Sequence, residues 1–402
     1  GLALPATALA LVMGCTASSP GHVASAAEVY VPSDEAQAVD AIVRSAPCAF
    51  HREFALGRRL GSGAFGCVYA AKRAQGGQSV AVKILDPRAE DEEGQKTDRI
   101  STRKLRAVER EAAVMRSLPP SPNIVAFYGA ALGDGLAYLV MERCTSGLLA
   151  VLQRMPALTE ASLKPVFQDM LAGIAVCHTA GIVHRDVKCD NFLATATPGS
   201  SRGFVVKLCD FGLASRVSSA EANELNGVFG TPPYMAPEML DGKSYNAKVD
   251  VWALGVLAYV LLYGSWPYVP AMLTGPAMKD AIRVGLPAPA FRAKAELPKI
   301  SEDCSKWVKA LLRRDPARRL SAEQALHLKS FHRDWEATAP LDKTLRAAAR
   351  MGAFELRAAD ATGDGFEAKL LRLNAKCRDG LSPALSEAST NTGSDSHATS
   401  HR

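Results

Sequence analysis

Residues 184–191 read His184-Arg185-Asp186-Val187-Lys188-Cys189-Asp190-Asn191, and residues 210–212 read Asp210-Phe211-Gly212. Those two stretches, in that order behind a glycine-rich segment, decide how the whole chain is read. The glycine-rich segment is Leu60-Gly61-Ser62-Gly63-Ala64-Phe65-Gly66-Cys67-Val68, a G-x-G-x-x-G-x-V. Alone it is weak: a dinucleotide-binding unit has such glycines too, but opens a helix on them and places an acidic residue about 20 positions later. Here strand-like sequence follows instead, and Val80-Ala81-Val82-Lys83 brings a lysine. A lone strand lysine usually does no more than face water. Glu111, however, falls on the next helical stretch, where an ion pair with Lys83 would orient the ammonium. Glu109 would face elsewhere on that helix, whereas Glu111 precedes Val114, Met115 and Leu118 at packing spacing. Further on come Gly230-Thr231, Ala236-Pro237-Glu238, Asp250 with Trp252 opening a helix, and Arg319 beyond Asp315-Pro316. Chance does not assemble that series.

Around these motifs the texture of the chain changes once. Residues 54–59, 66–72 and 79–85 are short apolar runs that read as strands, with Gly76-Gly77 as a hairpin turn between the last two. Residues 86–104 form a polar, charge-dense insertion, and a helical pattern over 105–118 ends at Pro119-Pro120. Two more strands are expected at 124–130 and 136–142. After Gly147 the period lengthens to helical, notably over 160–179 and 249–263, and stays so to about Phe331. A β-rich half therefore precedes a helical half, an α+β arrangement. Residues 340–378 are rich in Ala, Leu and Arg and partly helical in pattern, and from Leu381 the Ser/Thr-rich, aromatic-free tail reads as disorder.

With every motif in place, residues 54–333 resemble the eukaryotic protein kinases. Lys188 and Thr231 are features of the serine/threonine type, and residues 190–193 and the helix after Asp250 look most like calcium/calmodulin-dependent and calcium-dependent kinases. The resemblance implies a two-lobed fold, with a small antiparallel sheet plus one helix in the first lobe and mainly helix in the second. It implies ATP and magnesium as cofactors and protein Ser/Thr hydroxyls as acceptors. Gly61, Ser62, Gly63, Ala64, Phe65 and Gly66 would cover the triphosphate, with Lys83 lending it positive charge and Glu111 orienting the ammonium. Val68, Ala81, Met141 and Leu193 would wall the adenine with Leu60, and Glu142 and Cys144 would lend it backbone hydrogen bonds. Met141 would stand at the back of that cavity. Asn191 and Asp210 would hold the metal, Asp186 would act as base, and Lys188 would offer charge to the transferring group. Cys209 precedes the metal ligand, but the mechanism needs no thiol.

The chain departs from its resemblance in three places. Leu148-Leu149 follow Gly147 where many such kinases carry an acid that selects arginine, and Val260 replaces a second acid, so at most a weak preference for basic peptides is expected, through Asp190. Residues 360–365 start like a calcium-binding loop, but Leu371 stands where a bidentate glutamate belongs, which argues against calcium binding. Ser121 replaces the usual histidine before Pro122-Asn123-Ile124-Val125. In the activation segment, Ser218 or Ser219 is the expected phosphorylation site with Arg185 as its anchor, while Thr231 is expected to position substrate.

Composition sets the outer bounds. The 402 residues, 48% hydrophobic and 22% charged, suit a globular protein, and a net charge of +6 with no basic run among aromatics gives no sign of nucleic acid. Nine scattered cysteines form neither a disulfide framework nor a zinc pattern, so a cytoplasmic location is expected. Residues 1–27 carry no Asp, Glu, Lys or Arg. If Met13 is the initiator, Gly14-Cys15-Thr16-Ala17-Ser18 fits an N-acylation pattern, with Gly14 myristoylated and Cys15 palmitoylated, and the protein would associate with membrane. The expected organisation is an extension over 1–53, a catalytic domain over 54–333, a partly helical extension over 334–380 and a disordered tail over 381–402. The competing function is a catalytically weak pseudokinase or membrane-tethered scaffold that signals by binding. Lys83, Glu111, Asp186, Asn191 and Asp210 argue against it.

Overall fold

The computed structural model describes residues 49–63, 66–91, 96–197, 202–292, 297–333, 335 and 339–350. Expectations for Gly14, Cys15, Ala64, Phe65, residues 360–371 and the tail lie outside the described residues. In chain order the elements are α1 (Ala49–Glu53), β1 (Phe54–Gly63), β2 (Gly66–Arg73), β3 (Ser79–Leu85), β4 (Arg88–Glu90), β5 (Lys96–Ile100), α2 (Thr102–Ser117), β6 (Phe127–Gly133), β7 (Leu136–Glu142) and β8 (Ser146–Gly147). Then follow α3 (Leu148–Leu152), α4 (Glu160–Thr179), β9 (Ile182–Val183), a single 3-10 turn (Cys189–Asn191), β10 (Phe192–Ala196), β11 (Phe204–Leu208) and β12 (Ser215–Arg216). The last are a 3-10 turn (Pro232–Tyr234), α5 (Pro237–Leu240), α6 (Lys248–Tyr263), α7 (Gly275–Val284), α8 (Glu302–Leu311), α9 (Ala322–Leu326), α10 (Lys329–His332) and α11 (Asp342–Arg350).

Period-two alternation explains the first half. In β3, Val80, Val82 and Ile84 join one apolar cluster while Ala81 and Leu85 join another, so both faces are buried. The five strands pair antiparallel in the order β1-β2-β3-β7-β6. One face meets α2 through Val108 and Ala112. The other is covered in part by α1, whose Phe50 ring stacks on Tyr138 at 4.0 Å and on Phe54 at 5.1 Å, while His51 Nε2 lies 3.1 Å from the Tyr138 hydroxyl. Packing thus extends upstream of Phe54.

Three local differences from the sequence reading have physical causes. The helix expected from 105 begins at Thr102, because the Ser101 hydroxyl accepts the Lys104 N–H and caps it. The polar insertion folds into the β4–β5 pair, tied by Asp86–Arg88 at 2.7 Å and Lys104–Glu90 at 2.8 Å. The strand expected from 124 begins at Phe127, since Ile124 instead forms a parallel bridge to Leu208 and the Val125 N–H donates to Leu208 O at 3.0 Å.

Helix α6 organises the second half. Every residue from Val249 to Tyr263 is buried, which is why the helix has no polar stripe. Helices α4 and α8 pack on it. Beyond residue 333, where the catalytic domain is expected to end, Trp335 packs against Phe167, Trp307 and Phe331, and α11 buries Thr344, Leu345 and Ala348 while the preceding Leu341 N–H donates to Leu158 O at 2.7 Å. Among the described residues no helix is long and apolar enough to cross a membrane.

Candidate functional site

The strand alternation that buries β3 carries Lys83 to the α2 side, where its Nζ lies 2.7 Å from Glu111 Oε1 and 2.7 Å from Asp210 Oδ1. Glu109 is exposed. Burial opposes the charge on Lys83, but the Asp210 and Glu111 carboxylates outweigh it and hold the ammonium above its ordinary pKa. Burial also resists ionisation of Asp210, yet Lys83 prevails and keeps that carboxyl below its usual range. Glu111 is raised by its burial. The result is a charged lysine held between two acids.

Asp186 forms the second node. The Thr231 hydroxyl donates to Asp186 Oδ1 at 2.9 Å, Lys188 Nζ lies 2.9 Å from Asp186 Oδ2, and Lys188 donates to the Thr231 hydroxyl at 3.0 Å. Asn191 Nδ2 donates to the Asp186 carbonyl at 2.7 Å and to Oδ2 at 3.2 Å. That orientation spends the amide nitrogen on Asp186 and leaves the side-chain oxygen for another partner. The Cys209 N–H donates to Asn191 O at 2.9 Å, which keeps Asn191 beside Asp210. Two hard oxygen donors, on Asn191 and Asp210, fit magnesium, which takes one or two protein groups and completes its shell with phosphate and water. Among the described residues there is no larger His, Cys, Asp or Glu group suited to a metal.

The loop bearing Asp186 hangs from Asp250 at the start of α6. The Asp250 carboxylate accepts the His184 and Arg185 N–H groups at 2.8 Å each and lies 3.0 Å from His178 Nε2. Sequence reading found Asp250 as a motif residue and missed this role, and nothing local signals His178. Gly230 has φ +94°, and a Cβ there would lie 2.4 Å from Arg185 O, so glycine alone lets the segment carrying Thr231 lie against the loop.

Val68, Ala81, Met141, Leu193, Cys144 and Cys209 share one apolar cluster, with Met141 opposite Ala81 in the sheet. Leu60 stands apart from it at 39% exposure. Gly61, Ser62, Gly63 and Gly66 form the tip of the β1–β2 hairpin, where Ser62 pairs with Cys67 and Gly63 with Gly66. The Glu142 N–H donates to Ala126 O at 2.8 Å, leaving only its carbonyl to offer a ligand. Burial pushes the Cys144 thiol up to about 11 and Cys209 well above its ordinary value, so both stay protonated and act as packing groups.

Arg185 makes two contacts with the activation segment. The Arg185 Nε donates to Leu213 O at 2.8 Å, and the guanidinium lies 4.2 Å from the Phe229 ring centroid. The expected phosphate anchor is thus engaged by an aromatic face, a contact that depends on the path of the segment. Ser218 and Ser219 are exposed, and the Ser218 N–H and hydroxyl both donate to the Glu224 carboxylate. Glu238, at the end of the segment, pairs with buried Arg319 through bonds of 2.6 and 3.0 Å.

The sequence is similar to those of known proteins. The protein kinase domain model matches residues 54–331. The chain is 37% identical over 282 residues to CDPK-related kinase 8 of Arabidopsis thaliana, covering 69% of this chain and 43% of that protein. It is 34% identical over 298 residues to calcium/calmodulin-dependent serine/threonine-protein kinase 1 of Oryza sativa subsp. japonica, covering 73% and 46%. It is 32% identical over 281 residues to calcium/calmodulin-dependent protein kinase type II of Caenorhabditis briggsae, covering 69% and 48%. The matched part thus spans less than half the length of these curated relatives.

Proposed function

The chain belongs to the protein kinase family, and from that premise we propose that it transfers the γ-phosphoryl group of ATP to serine and threonine hydroxyls of proteins. The observation that carries the reading is the closed set of bonds among Asp186, Lys188, Thr231 and Asn191. Asp186 stands ready to accept a proton from an acceptor hydroxyl, and Lys188 beside it offsets charge growing on the transferring group. Lys83 is held charged for the phosphates, with Glu111 keeping it aimed. Val68, Ala81, Met141 and Leu193 make an apolar slot that excludes water from the base of the nucleotide. The Asn191 and Asp210 side-chain oxygens would hold a magnesium ion, which would supply positive charge to offset that of the phosphates. The binding-only alternative has no observation in its favour.

The peptide preference follows from burial. Leu148 is 1% exposed and Val260 0%, so neither position presents even a surface to an arginine upstream of the acceptor. On a positional-scanning array with [γ-32P]ATP, phosphate should appear on serine and threonine and not tyrosine, with less than about threefold selectivity for arginine three residues upstream, under 1 kcal/mol. Strong arginine dependence contradicts the reading of Leu148 and Val260; tyrosine labelling contradicts that of Lys188 and Thr231.

Membrane association through acyl groups on Gly14 and Cys15 is part of the same proposal, supported by the sequence pattern after Met13. Mass spectrometry of the native protein should find an N-terminus at Gly14 carrying the mass of an acyl chain. An unmodified Gly1 refutes it.

A further inference from the structure

The segment that would carry adenine is fastened at both ends to the second half of the molecule. At one end Glu142, the last residue of β7, directs its carboxylate away from the apolar slot. Lys207 Nζ lies 3.0 Å from Glu142 Oε2, the Ala126 N–H donates to Oε2 at 3.1 Å, and the Thr195 hydroxyl donates to Oε1 at 3.5 Å. At the other end the Thr145 N–H and hydroxyl donate to Ala194 O at 2.9 and 2.8 Å, and β8 pairs with β10 at Leu193–Gly147 and Ala194–Ser146. Between the fastenings lie Arg143 and Cys144.

Lys207 has a second connection. It belongs to β11, paired with Leu193 in β10, and the chain runs from it through Leu208 and Cys209 to Asp210. Three residues reach at most about 10 Å, so one short stretch bears the Glu142 fastening at one end and the expected metal ligand at the other. The paired side chains are 12% and 18% exposed, and water and salt screen such a pair less than a surface one.

We propose that Lys207 is a positioning residue for nucleotide binding. Through the Glu142 carboxylate it fixes where the Glu142 and Cys144 peptide groups stand relative to Asp210, and so sets the adenine affinity of the cleft. The inference rests on the reading that the cleft binds ATP.

The test measures ATP and adenosine binding to the full chain by calorimetry, beside kcat and KM for ATP. Lys207→Met should weaken both ligands about fivefold and raise KM to match, with kcat within about twofold of wild type, and Lys207→Arg should restore affinity. A residue that merely supported the fold would lower Tm without separating KM from kcat. Thr195→Val removes the neighbouring bond while leaving the ion pair intact, and should move both affinities the same way by less; it serves if Lys207→Met does not fold. Unchanged affinity in these variants, or a fall in kcat alone, overturns the proposal. Failure of the wild-type chain to bind ATP overturns the nucleotide reading and this inference with it.

Discussion

Asp186→Asn should lower kcat for phosphate transfer by about a thousandfold, within the 10²–10⁴ that a positioned proton acceptor contributes. The amide keeps the shape of the carboxylate and can still meet the Thr231 hydroxyl, so the loop held by Asp250 stays in place. What it loses is the capacity to take a proton and the attraction to Lys188, now at 2.9 Å. ATP affinity should therefore change little, because no atom of Asp186 belongs to the apolar slot or to the Lys83 cluster. Single-turnover transfer to a serine peptide beside calorimetric ATP binding separates the two effects. Equal transfer by both proteins would remove Asp186 from the reaction, whereas no transfer by either would return the chain to a binding role. Weakened ATP binding in step with the rate would mean the variant had disturbed the cleft as a whole.

Arg319→Met should cost about 3–5 kcal/mol of stability, the range for leaving a buried charge without its partner. Arg319 is 1% exposed, donates twice to Glu238, also reaches the Lys248, Arg313 and Arg314 carbonyls, and stacks over Trp252 at 4.9 Å. Methionine fills much of the volume but satisfies none of these acceptors. For a domain of this size the loss corresponds to a fall in Tm of about 10 °C. Glu238→Gln tests the partner by a smaller change, since the amide still accepts one bond. The double variant should lie closer to the worse single variant than to the sum of the two, because the sites share one contact. Additive losses would show that the pair does not act as a unit.

Much of the site was legible because its chemistry lies in contiguous motifs. Asp186, Lys188 and Asn191 fall within one short loop, and Lys83 sits in a strand whose alternation alone assigns its side. Glu111 was separable from Glu109 by helical spacing. What sequence could not show depends on distant partners. His178 reaches Asp250, Arg185 reaches Phe229, and Lys207 reaches Glu142 across stretches with no local pattern. The β4–β5 pair escaped notice because its side chains are matched by charge rather than by apolar alternation. Helix α1 is a single turn, too short for any periodicity, though Phe50 is 4% exposed.

Helix α6 has a further consequence through its first turn. Because it is apolar on every side, it cannot detach into water without exposing the centre of the second half, so its loss is nearly global unfolding. The loop amides of His184 and Arg185 are bonded to Asp250, on that helix. Their hydrogens should therefore be among the slowest to exchange with solvent. The loop that carries Asp186 should thus be among the slowest parts of the chain to open, while Ser218 and Ser219, exposed in the same segment as Thr231, should open sooner.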